Sequence, residues 1–266
     1  VLREVRAFLR LRHGPNLARV DELLEENDTF YMVFDYIEGS TLSDMIQNAG
    51  KIDPWECLGY MEDIAKALDF IHSQRLLHRD VTPNNIIIRP SGQAVLIDFG
   101  AARLYENNKT QSMTSMLNSD YAPPEQFAGE GHYSPALDIY SFGASFYHAL
   151  TGEKPPNAVG RYMAIDKGKT DTLASLLQLR FDLHPCLGEI IHKCMKVKAE
   201  ERYPNMSEVL VKITECKQKL AQEGPSSVLG SETSGSPKGE EIRSLLILLA
   251  LILFGVGLGI ALAIWL

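Results

Sequence analysis

HRDVTPNN at residues 78–85, III at 86–88 and DFG at 98–100 are the stretch on which the reading of this chain turns. They set an Asp and an Asn five residues apart, Asp80 and Asn85, and a second Asp, Asp98, directly after an apolar run. Ile86 to Ile88 and Ala94 to Ile97 are both short apolar runs, and Arg-Pro-Ser-Gly-Gln (89–93) between them has a turn composition, so a hairpin is expected. Phosphoryl transfer calls for such a set of side chains. Divalent cations on a nucleotide's phosphates need hard oxygen ligands, which Asn85 and Asp98 supply, leaving Asp80 to orient and deprotonate a hydroxyl. Any one of the three alone fits a cap or turn former equally well; the combination at these spacings is what points to chemistry.

Working outward, Asp53-Pro54 is an N-cap followed by Pro at the first helical position. Leu58, Met61, Ile64, Ala65, Leu68 and Ile71 then recur on one face, which predicts a core helix leading into the stretch. Upstream, Phe30 to Ile37 reads as a buried strand, and Leu2 to Arg12 as a helix closed by His13-Gly14-Pro15. Downstream, helical patterns cover roughly 136–150, 186–196 and 205–220. The fold class is therefore α+β with a mostly helical second half, and no internal repeat is visible.

Composition narrows the field. With 266 residues, 45% hydrophobic, and 26 Lys and Arg against 34 Asp and Glu, the chain is a folded one of net charge −8. That balance gives no electrostatic footprint for nucleic acid. Cys57, Cys186, Cys194 and Cys216 are widely spread without a CxxC pair, so reduced, partly buried thiols are expected and no disulfide framework is needed. His72, His132, His148, His184 and His192 have no metal-site spacing and read as surface or core residues.

The C-terminal end differs. Residues 245–266 hold no charge and no strongly polar side chain, and at about 1.5 Å each they span roughly 33 Å, enough for a hydrocarbon core of about 30 Å. Residues 221–243, rich in Ser, Gly and Pro, read as a flexible linker, and 244–266 as a single transmembrane helix. Gly255, Gly257 and Gly259 recur at spacing two and do not share a face as a GxxxG pair does. Lys238 and Arg243 favour a cytoplasmic placement of the folded domain, residues 1–220. The sequence is silent on oligomeric state.

The central stretch resembles the protein kinase family, whose catalytic loop is H-R-D-L-x-x-x-N and whose metal-binding motif is D-F-G. The resemblance continues in order with Ala122-Pro123-Pro124-Glu125, with DIYSFG at 138–143, and with Arg202, and it covers nearly everything from residue 1 to about 218. HRDVTPNN, LIDFGAAR, YAPPEQ and DIYSFGASFYHALTGEKPP are similar to bacterial Ser/Thr protein kinases. The resemblance implies a kinase-like fold, with a helical C-lobe and a partial N-lobe, that uses ATP and Mg2+ on a protein substrate. It implies Asp80 as catalytic base, Asn85 and Asp98 as magnesium ligands, and Arg79 as reader of a phosphate on the activation segment. Asp35 and Ile37 would meet adenine through backbone groups, with Ile87 beneath the ring. Glu125 and Arg202 would form a structural ion pair, Asp138 would bond the catalytic-loop backbone, and His78 would pack with Phe99 and Phe8.

Several positions depart from the family pattern. Glu4 sits where the family's helix Glu pairs with a strand Lys, yet no Gly-rich loop and no such Lys precede it. The chain lacks an initiator Met and begins inside that helix, so a truncated sequence that binds ATP poorly is the expectation. Thr82 replaces the family's common Lys two residues after the catalytic Asp, and Asn118 replaces its Thr, removing a cation from the transferred phosphate. Thr110, Ser112, Thr114, Ser115 and Ser119 are open to phosphorylation. Three function classes follow: a membrane-anchored Ser/Thr kinase; a pseudokinase serving as a membrane-tethered docking module; and a small-molecule phosphotransferase. The last typically carries Gly where Arg79 stands and lacks the Ala-Pro-Pro-Glu segment.

Overall fold

Asp53 caps the longest helix of the chain by accepting the N–H groups of Trp55 and Glu56 at 2.9 and 3.1 Å. The computed structural model describes residues 10–26, 29–99, 103–104, 120–127 and 133–223, all inside one compact unit, residues 1–228. The expected helix over Leu2 to Arg12 lies outside the described residues up to residue 9. Its end tightens into a 3-10 turn at Leu11–His13, closed by Gly14.

The strands come first. β1 (Val20–Glu26) pairs antiparallel with β2 (Thr29–Phe34), with an irregularity between Val20 and Glu22. The strand expected over 30–37 thus ends at Phe34, and Asp35 to Gly39 form a linker. β3 (Ser40–Thr41) then leads into α1 (Leu42–Ala49), where the Thr41 hydroxyl accepts the Asp44 N–H at 3.0 Å and the Asp44 carboxylate accepts the Thr41 N–H. This reciprocal pair is a capping box.

α2 (Pro54–Ser73) buries the predicted stripe completely: Leu58, Met61, Ile64, Ala65, Leu68 and Ile71 are each 0% exposed. β4 (Leu76–Leu77) follows, then a 3-10 turn at Pro83–Asn85. β5 (Ile86–Ile88) and β6 (Ala94–Leu96) form the expected hairpin, pairing Ile86 with Leu96 and Ile88 with Ala94. Its turn is closed by Gly92, at φ +82°, donating to the Arg89 carbonyl. β3 adds to the other edge of β5, giving the order β3-β5-β6, and β7 (Arg103–Leu104) pairs with β4.

The helical half is built on α3 (Ala136–Thr151), buried nearly all round. Gly143 lets the next layer approach: a Cβ there would lie 2.7 Å from that of Cys194. α4 (Ala158–Asp166), α5 (Leu176–Leu179), α6 (Pro185–Cys194) and α7 (Met206–Glu223) follow. α7 packs on α2, where Lys217 and Glu62 pair at 2.5 Å. The predicted helices at 136–150, 186–196 and 205–220 are all present.

The cysteines need correction. Cys186 and Cys216 are joined in a disulfide rather than held as reduced thiols. Nothing in their spacing of 30 residues signals it; the packing of α6 against α7 brings their Cα atoms to 5.7 Å, within bridging reach. Among the described residues no helix is long and apolar enough to cross a membrane. The transmembrane helix expected at 244–266 and most of the linker lie outside those residues.

Candidate active site

The stretch from His78 to Asn85 connects β4 to β5 as an irregular loop, and three separate elements hold its shape. Asp138, in the first turn of α3 and 0% exposed, accepts the backbone N–H groups of His78 and Arg79 at 2.9 and 2.8 Å. The His72 Nε2–H on α2 donates to the same carboxylate at 2.8 Å. Ser145, two turns further along α3, donates to the Val81 carbonyl at 2.9 Å. Gln126 donates its side-chain amide to the Arg79 carbonyl at 3.0 Å. The loop needs this support because Arg79 has φ +67°, the left-handed region, which costs a non-glycine residue about 1–2 kcal/mol.

Burial works to raise the Asp138 carboxyl, but the His72 hydrogen bond and charge, His78 and the Arg79 N–H together carry it below the usual carboxylate range. The group stays ionised inside the core. The His78 ring, fully buried, is pushed down by burial and donates Nε2–H to the Ile97 carbonyl at 3.1 Å. It meets Phe99 edge-on at 5.3 Å, and Phe99 stacks on Phe34 of β2 at 6.2 Å. Of the packing expected for His78, Phe99 is present and carries Phe34 on its other contact, while Phe8 lies outside the described residues.

Within the loop, the Asn85 amide donates to the Asp80 carbonyl at 2.9 Å and to the Asp80 carboxylate at 2.8 Å. Asp80 is half-buried and Asn85 buried. Burial pushes the Asp80 carboxyl up, the Asn85 bond and His78 pull it back, and the nearby Asp98 carboxylate pushes it up again. Asp98 follows β6 at φ +62° and is exposed beside them. The Asn85 carbonyl accepts the Ile97 N–H at 2.9 Å, which locks the hairpin's end to the loop. Asn85 thus holds Asp80 directly, and the Asp98 carboxylate lies near enough to act on Asp80 through its charge.

Other predicted residues fall as follows. Asp35 donates its N–H to the Arg19 carbonyl at 3.0 Å, and Ile37 is buried in the core. The linker passes so close to β5 that a Cβ on Gly39 would lie 2.3 Å from the Ile88 carbonyl oxygen and 2.7 Å from Ile87 Cγ2. Gly39 thus brings the end of the linker against β5, where Ile87 is half-buried. The Arg79 guanidinium lies over the Tyr133 ring at 4.6 Å. Glu4, Asn118 and the five Ser and Thr residues of 110–119 lie outside the described residues.

Arg202 and Glu125 form a two-pronged pair, at 2.5 and 3.0 Å. The Arg202 guanidinium spends its remaining donors on the carbonyls of Lys196, Val197 and Ala136. All five donors are satisfied, so this buried charge fixes geometry.

A family model described as the protein kinase domain matches residues 1–214. The chain belongs to the protein kinase family. The relatives compared next are bacterial. It is 31% identical over 217 residues to a probable serine/threonine-protein kinase of Clostridium acetobutylicum, covering 81% of this chain and 33% of that protein. It is 36% identical over 154 residues to serine/threonine-protein kinase PrkC of Bacillus subtilis, covering 58% and 24%. Serine/threonine-protein kinase B of Synechocystis is 30% identical over 220 residues, covering 78% and 36%. The chain spans about a third or less of the length of these curated relatives.

The kinase motifs name Asp80, Asn85 and Asp98 but not everything that holds them. Ser145, Gln126 and His72 are single polar residues on helical or extended stretches, and only their long-range partners give them a role.

Proposed function

We propose that this kinase domain transfers the γ-phosphate of ATP to Ser or Thr hydroxyls of protein substrates, from a membrane-anchored protein whose kinase domain faces the cytoplasm. The observation that carries the reading is the double hydrogen bond from Asn85 to Asp80, with Asp98 beside it. Asp80 accepts the proton of the attacking hydroxyl; its raised carboxyl makes it the stronger base, and Asn85 fixes the direction of its oxygens. The donor set fits a hard divalent cation, because the Asn85 amide nitrogen is committed to Asp80, and the Asn85 amide oxygen and the exposed Asp98 carboxylate are hard oxygen donors. When bound, Mg2+ neutralises charge on the triphosphate. Asp35 and Ile37 offer backbone groups to adenine, Ile87 an apolar floor, and Arg79 a charge for a phosphate on the activation segment. The apolar run 244–266 supplies the anchor.

A second reading, a pseudokinase acting as a membrane-tethered docking module, gains from Thr82, which is 3% exposed and carries no cation toward the phosphate. One experiment separates the two. The full-length protein containing this chain, given labelled ATP and Mg2+, incorporates phosphate into a Ser/Thr protein substrate, and Asp80→Asn abolishes the signal while the protein stays folded. Equal labelling by the variant overturns the assignment of Asp80, and no labelling by the folded wild type favours docking.

A further inference from the structure

The disulfide joins the first turn of α6 to the third turn of α7. His184 caps α6: its Nδ1 accepts the Cys186 N–H at 3.2 Å and lies 2.9 Å from the Cys186 sulfur. Among the described residues, His184, Cys186 and Cys216 are grouped with their reactive atoms within 4.8 Å of one another. Cys186 and Cys216 border a cavity of about 290 Å3, faced by Glu189 and Lys193 of α6, Tyr203, and Lys212, Glu215 and Lys219 of α7. Three ammonium groups outnumber two carboxylates there, even with Lys212 paired to Glu215 at 2.8 Å, a setting that favours thiolate over thiol. Cys57 and Cys194 are free thiols, both buried, and burial pushes them far up.

We propose that Cys186 and Cys216 form a reversible dithiol–disulfide site that exchanges with anionic low-molecular-weight thiols and disulfides, fastening α7 to α6 when oxidised. Cys186, 8% exposed against 1% for Cys216, is the exchanging sulfur. Its proton passes to His184 Nδ1, which releases the Cys186 N–H to take it, and the thiolate attacks a small disulfide, forming a mixed disulfide and releasing one thiolate. The Cys216 sulfur, losing its proton, then attacks the Cys186 sulfur, the protein disulfide closes and a second small thiol leaves. Two protein thiols are oxidised and one small disulfide is reduced to two thiols, so the exchange balances and runs in either direction.

The test incubates the full chain in glutathione buffers of stepped oxidised-to-reduced ratio, traps free thiols by alkylation and maps them by peptide mass. Cys186 and Cys216 are expected to lose alkylation together as the ratio rises and regain it on return to reduced glutathione. Tm should rise by about 5–10 °C on oxidation. Cys216→Ser is expected to accumulate a glutathione adduct at Cys186. His184→Asn keeps a capping acceptor but no base, and should slow oxidation about tenfold and shift its rate profile to higher pH without moving the end point. Thiols that stay alkylated at every ratio, or a bond that resists excess reductant, overturn the proposal. An adduct forming as fast at Cys216 in Cys186→Ser overturns the choice of Cys186, and an unchanged rate in His184→Asn overturns the role of His184.

Discussion

The Asp138 carboxylate accepts the backbone N–H of Arg79 across 59 residues of sequence, and its other oxygen accepts that of His78. One buried side chain on α3 thereby holds a loop residue in a left-handed conformation. Asp138→Asn keeps the shape but turns one acceptor oxygen into a donor, leaving one buried N–H facing another. A loss of about 2–4 kcal/mol in a urea titration is expected. Phosphate transfer should fall with it, since the loop carrying Asp80 loses its tether. Stability within 0.5 kcal/mol of wild type contradicts this account.

Asn85→Ala removes both bonds to Asp80 and an oxygen suited to Mg2+. Initial-rate measurements should show transfer reduced by about 10²–10³-fold. The cost in stability should stay near 1–2 kcal/mol, because only a short loop is released. A tenfold or smaller loss of rate would mean that Asp80 is oriented by something else.

Arg202→Lys retains the charge but offers three donors where five are used, in a planar fork that an ammonium does not reproduce. A loss of about 3 kcal/mol is expected by thermal or chemical unfolding. Glu125→Gln, on the partner that is a quarter exposed, should cost about half as much. Equal costs for the two would argue against the asymmetry in burial.

Burial lowers the imidazoles of His78, His148 and His192 below their ordinary value of about 6.5. Each is neutral in the fold while the unfolded chain takes up a proton, so the stability tied to the neutral form is complete above about pH 6.5. It is lost as pH falls from there toward the depressed folded values. Tm should accordingly drop between pH 7.5 and 5. His192 Nε2 accepts the Leu176 N–H at 3.1 Å, a bond that protonation forbids. His192→Gln retains an acceptor without titrating and should shrink the drop; an identical Tm difference would discharge His192 from it.

Asp80, Asn85, Asp98, the hairpin and α2 are legible in the sequence because each depends on neighbours close along the chain: a five-residue spacing, a turn composition, a 3.6-residue stripe. β1 is not. Val-Asp-Glu-Leu-Leu-Glu-Glu carries four acidic residues in seven, and it becomes a strand through pairing with Thr29–Phe34. The stacking of Phe34 on Phe99 and the bond from Gln126 to Arg79 are likewise invisible to any local pattern.

By itself, the amino-acid order determined which atoms are available for phosphate chemistry and which elements carry them, because propensity and hydrophobic period act over a few residues. Tertiary packing alone decided that Asp138 and Ser145 reach back 59 and 64 residues to shape the loop, that Arg202 finds Glu125 across 77, and that Cys216 comes beside Cys186. Those pairings arise when helices close over a shared core, and desolvation then makes each polar group's partner obligatory.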